Sequence, residues 1–135
     1  MEDGKIHTRI LLEIVGHPKD HVEKTMGMIL ENIRKIKDLE VIDTTIAPAE
    51  QIEKLFSTFA EIEINFKELA QIIGFCFDFM PSSIEILEPS ELKIDNIKAN
   101  GLINDLIARL HRYDMFLKNL HAENLVLKQE KEKKW

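Results

Sequence analysis

Four glutamates stand at alternating positions in strand-like stretches: Glu13, then Glu61 and Glu63, then Glu85. Gathered on one face, four carboxylates could hold a divalent cation or share a proton, because hard cations take several oxygens at once and general acid–base work uses positioned carboxyls. Outward glutamates also simply keep a sheet face solvated, and that plainer role is the one expected here. His17 and His21 flank Asp20 at a spacing of four, and a metal can in principle sit between them. No third His or Cys has a supporting spacing, so no metal is assigned. His111 and Asp114 lie three apart, within reach of a hydrogen-bonded acid–base pair, yet Asp114 is equally placed to pair across a helix seam. Cys76, the only cysteine, lies between Phe75 and Phe77. It reads as a buried structural thiol, since a nucleophile needs a nearby base and an electropositive setting. The chain carries no Walker loop, Rossmann glycine pattern, Gly-x-Ser-x-Gly elbow or zincin motif. The expectation is a non-enzymatic protein with no cofactor.

Hydropathy patterning supplies the elements that position these residues. Residues Met1–His7 are expected to be loosely attached. Arg9–Val15 suits a strand, broken by Gly16-His17-Pro18. Asp20 with Glu23 resembles a capping box, and Val22, Met26, Ile29, Ile33 and Ile36 recur at helical spacing to about Lys37. Leu39–Ala47 is rich in β-branched residues and is stopped by Pro48. A connection of open form leads to a third strand, Phe56–Phe66. Asn65 with Glu68 then predicts a helix cap, followed by a helix burying Leu69, Ile72, Ile73, Cys76 and Met80 and ending at Pro81. Ser83–Glu88 is a fourth strand, with Ile84 and Ile86 inward. A long helix starts near Asp95 or Asn96, either of which can cap it.

The order β-α-β-β-α-β followed by a long helix predicts an α+β fold: a ferredoxin-like βαββαβ domain over residues 8–92, with a four-stranded antiparallel sheet and two helices on one face. Residues 95–132 form a coiled-coil-like C-terminal helix that serves oligomerisation or packing. Opposite the helices the sheet would show Leu11, Glu13, Val15, Glu61, Glu63, Glu85 and Leu87. RNA-binding members of this fold show stacking aromatics and basic residues there, so this face argues against RNA. A helix or a second subunit bringing Arg109, Arg112 and Lys118 would suit the carboxylates. Phe75 and Phe79, one turn apart and off the main helix face, would either pack under an appended helix or form a patch for a partner.

Arg9–Ile46, with its strand, Gly/Pro turn, helix and strand, is similar to ferredoxin-like regulatory domains of the ACT type. That resemblance implies a small effector bound near Gly16, His17, Pro18 and Lys19. Phe59–Leu92 includes Ile72-Ile73-Gly74-Phe75 and the run Ile84-Glu85-Ile86-Leu87-Glu88-Pro89-Ser90-Glu91-Leu92. It resembles the C-terminal extension of WYL-type regulators, where a strand ending in Leu-Glu-Pro also leads to a terminal helix. What that resemblance implies concerns the fold.

The C-terminal helix carries the clearest pattern. Ile103, Leu106, Leu110, Tyr113, Leu117, Leu120, Asn124 and Leu127 alternate spacings of three and four, an a/d seam over about three and a half heptads. Asn124 falls at an a site, where a buried amide costs stability but selects register and two strands. In a parallel pair, each g residue meets the next e residue of the partner. Arg109 then meets Asp114 and Glu123 meets Lys128, while Leu102 meets Ile107 and Phe116 meets His121.

The chain of 135 residues, 44 % apolar and 31 % charged, suits one domain plus an appendage. A net charge of −6 argues against general nucleic-acid binding and against anionic lipid as a partner. Lys128, Lys131, Lys133 and Lys134 cluster at the end, alternating with Glu130 and Glu132, as in a solvated helix end. With a single cysteine, no signal-like apolar segment near the start and no apolar run of membrane-spanning length, a cytoplasmic location is expected. The resulting expectation is an interaction or scaffold module that homodimerises through its C-terminal helix and has room for another protein partner. An ACT-like sensor of a small molecule is the rival reading. A metal-assisted enzyme using the acidic face is the third.

Overall fold

The strand that organises the first part of the chain, β1 (Ile6–Gly16), sends Ile6, Thr8, Ile10 and Leu12 into the core and His7, Arg9, Leu11 and Glu13 to the other face. The computed structural model describes residues 4–133. The chain divides into two compact units, Met1–Leu92 and Lys93–Trp135. In the first unit, β1 is followed by α1 (Lys19–Arg34), β2 (Leu39–Ile46), β3 (Glu50–Ile52), β4 (Leu55–Phe66), α2 (Leu69–Phe79) and β5 (Ser83–Glu88). The second unit is α3 (Asn96–Lys133).

The protein is α+β, with an antiparallel sheet of five strands ordered β2-β4-β1-β5 and β3 paired to the start of β4. The expected four strands are thus five. β3 has the composition Glu-Gln-Ile and no alternation of its own; it is a strand because a turn at Glu53-Lys54, with Glu53 at φ 55°, folds it onto Leu55–Ser57.

One apolar layer holds the unit together. Ile10, Leu12, Ala60, Ile62, Ile64 and Phe66 from the sheet meet Met26, Leu30 and Ile33 of α1 and Ile72 and Phe75 of α2. Thr8 is fully buried in that layer because its hydroxyl donates to the Ile64 carbonyl oxygen at 2.9 Å, which removes most of the cost of burying it.

Several local expectations change. Of the Met1–His7 segment expected to be loose, Met1–Asp3 lie outside the described residues, whereas Ile6 and His7 belong to β1 and Ile6 is core. At α1 the cap position is Pro18, with no side-chain cap, rather than an Asp20–Glu23 box, and the helix stops at Arg34 rather than near Lys37. At α2 the cap is Glu68 rather than Asn65. Glu68 pairs reciprocally with Gln71 in a capping box, because Asn65 is still paired with His7 and Glu40 within the sheet.

Phe75 is core, not off the buried face. Its ring meets Phe66 edge-on at 5.7 Å and Phe79 at 4.8 Å. Met80, expected inside, is instead the exposed left-handed C-cap of the helix, at φ 45°. On β5, Ile84 packs against the core as expected, but Ile86 stays exposed, because β5 ends the strand order with only β1 beside it. Asp95 caps α3, its carboxylate accepting from the Lys98 amide at 2.8 Å.

Candidate functional site

The sheet face turned away from α1 and α2 carries an ion-pair cluster centred on Arg9. Antiparallel register sets Arg9 opposite Glu63 on β4 and opposite Glu85 on β5, with Glu61 one pleat along. Its guanidinium lies 3.1 Å from Glu61, 3.6 Å from Glu85 and 3.8 Å from Glu63. His7, one pleat further, has Nε2 at 3.6 Å from the same Glu63 oxygen that faces Arg9. Among the described residues, His7 Nε2 and its cross-strand neighbour Asn65 Oδ1 are buried atoms with no hydrogen-bond partner. Glu13, the fourth glutamate, stands apart from this cluster and accepts from the Ser57 hydroxyl at 3.1 Å.

Three of the four glutamates singled out in the sequence therefore converge, and they converge on a cation. The cation found among them is Arg9, which precedes Leu11, Glu13 and Val15 in the same alternation. Arg109 lies 2.9 Å from Asp105, and Lys118 lies 2.8 Å from Asp114, one turn away in each case. The Asp114 carboxylate holds the Lys118 ammonium above its ordinary range, chiefly through their hydrogen bond.

Chemically, one guanidinium shared by three carboxylates is a cross-strand clamp. Beyond it the same face turns apolar, with exposed Val15 and Phe59. Among the described residues, no group of three or more His, Cys, Asp or Glu is placed to hold a metal ion.

Gly16, His17, Pro18 and Lys19 form the link from β1 to α1, with the His17 ring stacked on Phe56 at 6.2 Å and 17°. His21 lies in the first turns of α1, and its carbonyl oxygen accepts from the Thr25 hydroxyl at 2.7 Å. Cys76 is half-buried, and burial pushes its thiol up, which favours the neutral form over a nucleophilic thiolate. A shallow depression of about 480 Å³ lies beside Arg34, Val41, Ile42, Asp43 and Thr44. There a register shift between Val41 and Asp43 interrupts the pairing of β2 with β4. No periodic signal in the sequence marks it.

The second surface is α3. Its 38 residues run about 57 Å at the usual helical rise. None of them is buried. The apolar seam side chains are between 37 % (Leu106) and 63 % (Leu117) exposed. All eight seam positions, Ile103 to Leu127, lie in one uninterrupted helix. Among the described residues, no helix is long and apolar enough to cross a membrane.

Comparison with curated proteins and with solved structures finds no match. A family model does match, over residues 7–134, which takes in both the sheet unit and the long helix. By that match the chain belongs to the MJ0538 family.

Proposed function

We propose that this protein is a non-catalytic, cytoplasmic interaction module: a ferredoxin-like domain whose C-terminal helix pairs with the same helix of a second copy as a coiled coil. The ferredoxin-like reading is supported by strand order. With the short β3 set aside, the chain runs β-α-β-β-α-β, and the sheet order β2-β4-β1-β5 is antiparallel throughout. A cytoplasmic setting is supported by the free thiol of the single cysteine. The non-catalytic reading is supported by the acidic face, three of whose glutamates are engaged with Arg9.

One observation carries the self-association: the continuous α3 seam standing in water. Burying a large apolar side chain is worth about 1.5–3 kcal/mol, and seven of them line up with a/d spacing on one helix. A second copy offers the same stripe at the same pitch, as a two-stranded coil requires.

Light scattering on the full chain tests this. A mass of twice 15.7 kDa is expected, falling to one chain in a variant carrying Leu117→Glu and Leu120→Glu, with the sheet spectrum kept. A monomeric native chain, or a dimer indifferent to both substitutions, would reject the proposal.

A further inference from the structure

We infer that the two α3 helices run parallel and in register, with Asn124 meeting Asn124 of the partner. This rests on the self-association proposed above and adds its direction. The seam admits two arrangements that bury it along its whole length, and the residues at its core and edges tell them apart.

In the parallel arrangement every a residue meets its own copy, so the two Asn124 amides face each other and can exchange a hydrogen bond inside an otherwise apolar stripe. At the edges Arg109 meets the partner's Asp114, and Glu123 meets the partner's Lys128.

In the antiparallel arrangement a residues meet d residues. The register that covers the seam pairs Ile103 with the partner's Leu127 and Leu110 with the partner's Leu120. It then sets Asn124 against the partner's Leu106, leaving a buried amide with an alkyl neighbour. Its symmetry centre also brings Asp114 against the partner's Asp114, two like charges at close quarters. Arg109 would still find the partner's Glu123, so one kind of favourable pair survives against one clash and an orphaned amide on each helix. Sliding the antiparallel pair by a heptad relieves the amide only by leaving one end of the stripe uncovered.

The ion pairs seen within α3, Arg109 with Asp105 and Lys118 with Asp114, do not oppose the parallel form. The Lys118–Asp114 pair is exposed and the Arg109–Asp105 pair half-buried, and ion pairs one turn apart on a helix are weak enough to share a partner across the seam. In the parallel coil both copies of the preceding segment enter the helix pair at the same end, because α3 follows directly on Lys93–Asp95 in each.

Cysteine cross-linking of the full chain, in a Cys76→Ala background, decides the direction. Leu127→Cys chains and Ile103→Cys chains are mixed, refolded together and mildly oxidised. A bifunctional maleimide repeats the trapping without oxidation. The parallel coil predicts cross-links of 127 to 127 and of 103 to 103, with the mixed 103–127 species near background. A dominant 103–127 cross-link with a dimer mass overturns the parallel direction and leaves the self-association standing. A monomer mass before cross-linking overturns the self-association and the parallel coil with it.

Discussion

Arg9→Met removes the guanidinium that lies within ion-pair distance of Glu61, Glu63 and Glu85, while keeping an apolar stem on the sheet. The three ion pairs it breaks span 3.1, 3.6 and 3.8 Å, and Arg9 itself is 44 % exposed, so each must be discounted for solvent. At about 0.3–0.5 kcal/mol apiece, the three together are worth about 1 kcal/mol. The three carboxylates left behind then repel one another across neighbouring strands, in the same direction. For a sheet unit of this size, about 1 kcal/mol lowers the melting temperature by about 4–8 °C. The effect should depend on salt. At about 1 M salt the screening length shrinks to roughly 3 Å, comparable with the ion-pair distances, and the gap between native and variant should close by about half. Differential scanning calorimetry at low and high salt reads both numbers, and Glu85→Gln in the Arg9→Met background should restore part of the stability. An unchanged melting temperature at low salt, or a drop indifferent to salt, would show that the clamp is not electrostatic.

Phe75→Ala should cost about 3–5 kcal/mol in urea titrations, since its ring is 3 % exposed and braced by Phe66 and Phe79; a cost under about 1 kcal/mol would mean that the aromatic trio does not brace the core. Met80→Gly should raise stability by about 0.5–1 kcal/mol, because Met80 is exposed at φ 45°, where glycine carries no side-chain penalty; a decrease would point to an interaction made by the methionine. Cys76 should react with iodoacetamide more slowly than a free thiol at neutral pH. Burial raises its pKa, so the thiolate fraction at a given pH is reduced and the rate climbs only at higher pH; urea should abolish the difference. Asn124→Leu should raise the melting temperature of the assembled chain and broaden its mass distribution, and an unchanged profile would place Asn124 outside any seam.

Much of the outline is legible from pattern alone where one side of an element is apolar and the other is not. β1 alternates along most of its length and β4 from Thr58 onward, so the inward sides of both follow from their residues, and the limits of β5 at Ser83–Glu88 follow from its flanking prolines. Where pattern misleads, the cause is shared: tertiary neighbours decide. α2 is apolar on nearly every side, so periodicity does not choose between a face with Phe75 and one with Met80; packing against Phe66 chooses. Asn65 and Asp20 are good caps by type, yet Asn65 is already committed to the β1–β4–β2 ladder. β3 has no hydrophobic signal, because its partner strand supplies the reason for its existence.

The seam of α3 is set by the residues themselves: a helix is a local structure, and spacings of three and four put Ile103 through Leu127 on one stripe wherever the helix goes. The acidic positions are likewise legible, since alternation alone puts Glu61 and Glu63 on the outward side of their strand. Their partner is not. Arg9 sits many residues away from Glu61 and from Glu85, and only the antiparallel register of β1 between β4 and β5 brings that one guanidinium within reach of all three carboxylates. Register is a property of the packed sheet, fixed by which residues the core buries, and a one-residue slip would put Arg9 among the isoleucines instead.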